Sequence, residues 1–241
     1  MLTIWIITKR ELKSFFDSLL AYIMIIAFLV FTGLFTWMIG QTVFLMKQAS
    51  LQSFFGVAYW ALFIFIPALT MKLIAEERSS GTLELILTKP VSDTQLVLGK
   101  FLAVFILVLL SLALTLPYYI TVASIGPIDH GATIMGYIGL LLMSAAYISI
   151  GIFSSSVTNN QIVSFLLALF IGIFFHLIFN VIARYFPGFI GNTLSYLSLS
   201  THYESLTRGV IDSKDLIYFA SLIVLGLFGA EMMVSRRNLT D

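Results

Sequence analysis

Six apolar segments, each long enough to cross a lipid bilayer, constrain this 241-residue chain more than any other feature. A helix needs roughly 20 apolar residues to cross about 30 Å of hydrocarbon. Only 10% of the residues are charged, and the mean hydropathy of +1.02 lies outside the range of soluble domains. The sequence therefore predicts an all-α polytopic membrane protein that forms a single domain over residues 1–241, with six spans at residues 20–39, 57–75, 96–123, 132–154, 161–183 and 215–234.

Three of these spans begin near residue pairs with the spacing of a capping box or a close relative of it. In that motif a side-chain oxygen and a residue three positions later satisfy the free N–H groups of the first helical turn. The pairs, at the third, fifth and sixth spans, are Ser92 with Gln95, Thr158 with Gln161, and Asp212 with Asp215.

Residues 2–18 precede the first span and are predicted to form an amphipathic helix. At 100° per residue their apolar and polar side chains gather on opposite faces, which is typical of a helix lying in the membrane interface. An extended cytoplasmic start to the first span is the alternative. The apolar run that follows has no small-residue cleavage site, so we expect a retained span and not a cleaved signal.

The distribution of lysine and arginine predicts the orientation. If the N-terminus faces the cytoplasm, nine of these residues lie inside and four lie outside. Short cytoplasmic loops carry the excess of positive charge. Both termini and the long loop between the second and third spans are therefore expected on the cytoplasmic side.

That loop, Met71 to Lys100, carries eight of the chain's 25 formal charges. A charged part containing Gly81 is followed by an apolar cluster and then by Lys89-Pro90. This order predicts a short amphipathic helix across the cytoplasmic face, braced between two spans, which would carry force from a soluble partner. A solvated loop is the alternative, and the residues alone leave both open.

His176, Asn180 and Arg184 form a polar stripe in the fifth span. Their spacing of four places them on one helical face, descending from the outer end of the span toward its middle. Polar groups at such depth usually face a bundle interior, a cavity or a partner chain. The stripe is part of a translocation path or subunit interface, or else Arg184 reaches the outer headgroups while the other two bond to a neighbouring helix.

The segment after Arg184 has too many polar groups to cross the membrane. Thr201 and Glu204 have capping-box spacing, and Gly209 can end a helix in the left-handed conformation. We expect a short outer helix between the fifth and sixth spans.

The chain has no motif for catalysis of its own. It lacks a Gly-rich phosphate loop, HExxH and GxSxG. With no cysteine and three scattered histidines, it offers no metal site, and a net charge of +1 suggests no nucleic-acid partner. We expect a protein that is not an enzyme, with no cofactor or metal in this chain.

The run EERSSGTLELILTKPVSDTQLVLGKFLA closely resembles the cytoplasmic loop of ABC exporter permeases of the type-2 class. The KREL run at Lys9, the SSSVTNNQ turn and the YESLTRGVID run at Tyr203 are also similar, so the resemblance covers nearly the whole chain. Within the class, the chain looks most like the permease subunit associated with bacterial gliding motility, because of its length, the absence of a large periplasmic insert and the run HYESLTRGVIDSKDLIYF. The pattern in the loop is carried by Glu77, Arg78, Gly81, Thr82, Leu83, Glu84, Pro90, Gly99 and Lys100.

The resemblance implies a multi-pass protein of the bacterial inner membrane that works with a separate cytoplasmic ATPase, which binds ATP and Mg. It also implies a second permease, either a different chain with a large extracytoplasmic domain or an identical one. A coupling helix within Arg78 to Leu87 would dock in the ATPase, and the 154–160 turn would form a smaller contact. The docking residues would be Glu77, Arg78, Gly81, Thr82, Leu83, Glu84, Leu85 and Leu87.

Two functions remain open at this point. The first is a permease that couples ATP hydrolysis to export; the second is a mechanical or assembly module that transmits the ATPase cycle to a periplasmic partner. A stand-alone secondary transporter would need paired broken helices and buried carboxylates near the midplane. Apart from Asp215, the first residue of the sixth span, Glu231 is the only acid inside a span, and it lies near the inner end.

Overall fold

The computed structural model describes residues 2–40, 43, 48–83, 90–186, 188–210 and 212–235. This part of the chain is nearly all helical and contains no strand. A π-helical segment spans Phe174–Ile178. The α-helices are α1 (Leu2–Asp17), α2 (Leu20–Trp37), α3 (Gln52–Thr70), α4 (Ala75–Ser79), α5 (Asp93–Ala113), α6 (Leu116–Ile125), α7 (His130–Val157), α8 (Gln161–Ile173), α9 (Phe179–Ala183), α10 (Phe189–Leu197), α11 (Leu199–Thr207) and α12 (Ser213–Ser235).

Six helices are long and apolar enough to cross a membrane, which confirms the predicted number of spans. Span 1 is α2, span 2 is α3 with α4, span 3 is α5 with α6, span 4 is α7, span 5 runs from α8 to α9, and span 6 is α12. The spans alternate in direction. We call the end of the bundle that holds α1 and α4 the basal end, and the end that holds α10 and α11 the distal end.

Span 4 lies at the centre of the bundle, and 78% of its apolar window is buried, against 22% in spans 5 and 6. It contacts spans 2, 3, 5 and 6 as well as α11. Small residues permit this packing: Gly151 meets the side chain of Thr70 in span 2, and Gly226 of span 6 meets Ser149. Small residues at helix interfaces let backbones approach closely in membranes.

Local sequence patterns predicted some helix boundaries correctly and others incorrectly. Ser92 and Gln95 form the predicted capping box at the start of α5. At α8 the cap is Asn160, whose side chain accepts from two backbone N–H groups, so the prediction of Thr158 was wrong. Helix α11 begins at Leu199, before Thr201, and its N-cap makes no side-chain hydrogen bond.

Helix α1 is present as predicted, and it packs on span 3. Its buried residues are Ile7, Thr8 and Phe15. The Thr8 hydroxyl donates to the Gly99 carbonyl at 3.1 Å, and the Ile7 side chain fills the space that a side chain at Gly99 would need. A glycine at this position lets the two helices come into close contact, which places the next turn of α1 beside Lys100.

Candidate functional sites at the two ends of the bundle

A buried lysine joins three elements at the basal end. Lys100 in span 3 has no exposed side-chain surface, and its Nζ atom lies 2.8 Å from Glu77 Oε1 and 3.2 Å from Glu11 Oε1. It also donates to the Leu73 carbonyl at 2.6 Å. An ammonium group has three N–H donors, and here three acceptors surround it. The lysine therefore ties α1 and the end of span 2 to span 3.

Arg10 completes this network as a second cation. Its guanidinium donates to Glu77 at 2.9 Å and also pairs with Glu11. Burial lowers the pKa of Arg10, but the two carboxylates outweigh it and raise the pKa above its ordinary value. For Glu11, burial raises the pKa, but Lys100 and Arg10 outweigh it and hold the pKa below its ordinary value. Two cations and two carboxylates thus balance in a partly buried cluster, which we call the ionic junction.

Arg78 connects the same segment to two further spans. Its guanidinium donates to the carbonyl of Ser156 at 2.7 Å and to the carbonyl of Met233 at 3.3 Å. Both carbonyls lie in the last turn of a span, where backbone oxygens have no partner within the helix. A cation at a helix C-terminus also interacts favourably with the helix dipole. Arg78 therefore holds the basal ends of spans 4 and 6 to α4.

Ser155 makes the third connection at the basal end. Its hydroxyl oxygen accepts from the backbone N–H groups of Ile74 and Ala75, each at 3.0 Å, and its O–H donates to the Met71 carbonyl at 3.1 Å. These N–H groups belong to the start of α4, which has no side-chain cap of its own. The serine run at the end of span 4 was a visible signal, but the sequence did not show which backbone it serves.

The predicted docking residues divide into two groups. Glu77 and Arg78 are half-buried and directed into the protein, and Leu83 is buried. Gly81, with a φ of +70°, and Thr82 are exposed. Glu84, Leu85 and Leu87 lie outside the described residues. We call the exposed surface beside the ionic junction the docking patch; it consists of Glu76, Ser79, Ser80, Gly81 and Thr82.

The resemblance implies a coupling helix within Arg78 to Leu87, of which the structure describes only the first part. Helix α4 (Ala75–Ser79) overlaps the start of that range, and Thr82 and Leu83 are again helical. The four-residue turn Met71–Ile74 separates α4 from α3. The later part of the predicted helix, from Glu84 on, falls outside the described residues.

At the distal end, a cavity of about 400 Å³ lies between span 2, span 5 and α11. All three residues of the predicted stripe line it: His176 at its inner part, then Asn180, then Arg184 beyond the end of α9. The stripe therefore faces a cavity within this chain. Span 2 contributes Tyr59 and Trp60 to the wall, and α11 contributes Tyr203 and Glu204.

His176 is held on several sides. Its ring stacks on Tyr59 with 4.0 Å between centroids and on Phe63 with 4.4 Å, and Trp60 meets it edge to face. The Tyr147 hydroxyl lies 2.6 Å from His176 Nδ1. Nε2 is buried and has no hydrogen-bond partner in the described part of the chain. The ring belongs to the π-helical segment of span 5, where the extra residue in the turn displaces it from the regular helical position.

Asn180 connects span 5 to the start of α11. Its amide donates to the Ser200 hydroxyl at 2.8 Å, and Ser200 lies 2.8 Å from Ser198. Tyr203, one turn further along α11, donates to the Phe55 carbonyl of span 2 at 3.0 Å. The sequence did not predict that these α11 residues belong to the site. They are far from span 5 along the chain, and no local pattern indicates that the two segments contact each other.

A second distal connection was also missed. His202 of α11 and Asp215 of span 6 are both buried, with 2.6 Å between Nδ1 and Oδ1, and His202 Nε2 lies 2.8 Å from the Tyr196 carbonyl. The predicted pairing of Asp212 with Asp215 did not reveal this contact. Through it, α11 is fixed to span 6, which holds one wall of the cavity in place.

Comparison with known proteins gives one family. The model of the ABC-2 family transporter protein matches residues 41–234, which is most of the chain. The matched range includes the docking patch, the basal contacts of Arg78 and Ser155, and the whole distal cavity. A search of curated proteins finds no match.

Proposed function

This chain belongs to the ABC-2 transporter family and is an ABC transporter permease, and from that premise we propose that its docking patch receives a separate ATPase whose cycle moves the spans. Family membership itself implies an ATPase partner. In this proposal ATP and Mg are bound and used by the partner, and this chain supplies the mechanical connection to the membrane.

The observation that carries the proposal is the bonding of α4 to three other spans. Helix α4 is the last part of span 2 and is tied to span 3 through Glu77 and Lys100, and to spans 4 and 6 through Arg78. A force applied at the neighbouring docking patch is therefore transmitted directly to spans 2, 3, 4 and 6. The closed and the open form of the ATPase dimer would each favour a different arrangement of the spans. Rigid-body movement about a subunit interface is a known way for such a change to spread.

The proposal also sets the orientation. The basal end faces the cytoplasm of a bacterial cell, both termini lie on that side, and the distal end faces the periplasm. The excess of lysine and arginine in the basal loops supports this arrangement. A second permease, identical or carrying a large extracytoplasmic domain, completes the membrane part.

The finer assignment is a role in export or in a gliding-motility or secretion machinery. It rests on the length of the chain, the absence of a large periplasmic insert and the resemblance of the run from His202 to Phe219. The mechanical alternative, in which the ATPase cycle acts on a periplasmic partner and no solute crosses, is supported equally by the bonding of α4, because that bonding transmits force in either case. Loss of a transported compound from cells, measured with and without this chain, separates the two.

The docking proposal is tested by site-directed photo-crosslinking in cells. A photoreactive residue at the exposed position Thr82 should yield a product that mass spectrometry identifies as an ABC-type ATPase. The matched control is the exposed position Thr201 on α11, which should yield no ATPase product. An ATPase product from both positions, or from neither, would contradict docking at the basal end.

A functional variant extends this test. Glu76→Arg reverses a charge in the docking patch, and Glu204→Arg makes the same change at the distal end; both residues are exposed. We expect the first to abolish co-purification of the ATPase and the second to leave it unchanged. Equal retention in the two variants would remove Glu76 from the docking surface.

A further inference from the structure

The distal cavity is polar at one end and aromatic at the other. Arg184 and Gln52 line its outer part, and Asn180 lies one turn further in. Tyr59 and Trp60 form the inner wall around His176. A ligand that fits this arrangement carries a charged or hydrogen-bonding group at its outer end and an apolar part further in.

Arg184 supplies the cationic group of this cavity. It directly follows α9 and is exposed, and within the described residues no carboxylate lies within salt-bridge distance of it. Glu204, the one acid among the described residues of the cavity wall, is paired with Arg208 at 3.5 Å. The polar end therefore presents a guanidinium that has no carboxylate partner in the described part of the chain, and such a group binds phosphate in a bidentate manner.

The cavity opens toward the membrane. Trp60, Leu177 and Val181 line it and are 47%, 40% and 41% exposed, respectively, and all three belong to membrane spans. Because the surface around such spans is covered by lipid tails, a ligand can enter sideways from the bilayer. Arg184 lies just beyond the end of span 5, at the level where lipid headgroups lie.

We propose that this cavity binds one anionic phospholipid of the distal leaflet. The phosphate contacts Arg184, the amides of Gln52 and Asn180 bond to the glycerol and ester oxygens, and an acyl chain leaves along Trp60, Leu177 and Val181. An amide offers two donors and one acceptor oxygen, so Asn180 keeps bonding capacity beyond its contact with Ser200. Because Glu204 already has Arg208 as a partner, an anionic headgroup is favoured over one that also carries an ammonium. The proposal does not depend on ATPase docking.

Tryptophan fluorescence tests this assignment, since the chain has Trp5, Trp37 and Trp60. The double variant Trp5→Phe, Trp37→Phe leaves Trp60 as the only indole. It is reconstituted in phosphatidylcholine vesicles that contain a small fraction of dibrominated phosphatidylglycerol or, separately, the same fraction of dibrominated phosphatidylcholine. One arginine contact favours an anionic lipid by about fivefold in apparent affinity, so the brominated anionic lipid should quench Trp60 at correspondingly lower mole fraction.

Matched variants test whether Arg184 is the source of the preference for the anionic lipid. Arg184→Gln should abolish this preference and Arg184→Lys should keep most of it, with circular dichroism showing an intact helical fold in each. The variant that retains only Trp37, which lies at the distal end of span 1, should be quenched equally by the two lipids.

Four results would overturn the proposal. The first is equal quenching of Trp60 by the two lipids, and the second is a preference that survives in Arg184→Gln. The third is relief of the quenching by millimolar inorganic phosphate, which would assign the site to the free anion. Stronger quenching by dibrominated phosphatidylethanolamine than by the anionic lipid would likewise contradict it, because Glu204 would then take part in binding.

Discussion

The Nζ atom of Lys100 lies 2.8 Å from Oε1 of Glu77, and the lysine side chain has no exposed surface. This pair joins the start of span 3 to the end of span 2 beneath the docking patch. Burying a charge is costly unless it is paired and hydrogen-bonded, and here Glu11 and the Leu73 carbonyl complete the pairing. The charges at the basal end thus stabilise one another in a buried place. Removing one of them should therefore have a measurable effect on stability.

Lys100→Met should destabilise the protein strongly. Removing one partner of a buried ion pair leaves the other uncompensated, at a cost of about 3–5 kcal/mol. Thermal unfolding in detergent should show a clear fall in Tm, and Glu77→Gln added to Lys100→Met should recover part of it. Lys9→Met, at an exposed position of α1, serves as the control and should leave Tm unchanged. Equal Tm values for the two lysine variants would show that the ionic junction does not hold the basal end together.

Acid should weaken the ionic junction through Glu11. Its pKa in the folded protein lies below the ordinary value of 4.5, because Lys100 and Arg10 outweigh the effect of burial. Its contribution to stability is therefore complete above pH 4.5 and is lost as the pH falls through the lower, folded-state pKa. Comparing Tm as a function of pH for the wild type and Glu11→Gln should show the difference between them shrinking in that acidic range. A difference that stays constant would mean that Glu11 does not act through its charge.

Ser155→Ala should loosen α4 from span 4. The change leaves the N–H groups of Ile74 and Ala75 without their acceptor in a buried place. Unsatisfied buried polar groups cost about 1–3 kcal/mol each. Hydrogen exchange of these two amides should accelerate in the variant. As a control, Ser124→Ala removes an exposed hydroxyl that bonds only within its own helix, and it should leave them unaffected. Unchanged protection in Ser155→Ala would show that the serine is not their acceptor.

Tyr147 and His176 should act as a coupled pair. Tyr147→Phe removes the partner of His176 Nδ1, and Nε2 already has none among the described residues, so a loss of about 1–3 kcal/mol is expected. His176→Phe in the same background should cost much less than it does in the wild type, since the shared hydrogen bond is already gone. The four unfolding free energies form a double-mutant cycle. Additive effects would show that the 2.6 Å contact contributes nothing.

Some parts of the sites could be read from the sequence because they depend on local spacing. His176, Asn180 and Arg184 share a face since residues four apart on a helix lie above one another, and the structure places all three in one cavity wall. The capping box at Ser92 was likewise visible because its partner is three residues away.

The direction of the side chains in the loop between the second and third spans could not be predicted from local spacing. The motif identified Glu77 and Arg78, but their partners, Lys100, Ser156 and Met233, are between 23 and 155 residues away in the chain. The predicted docking role of Glu84, Leu85 and Leu87 stays a prediction, as does that of the exposed Gly81 and Thr82.

The six spans could be predicted without a structure, because burial of the backbone in lipid requires long apolar helices, and length and composition are properties of each segment alone. Which polar groups meet depends on the packing of the helices. This packing places Lys100 between α1 and α4, turns Arg78 onto the carbonyls of two distant spans, and brings α11 over span 5 to form the distal cavity. These contacts depend on how the helices pack around span 4, and that packing is a property of the whole bundle.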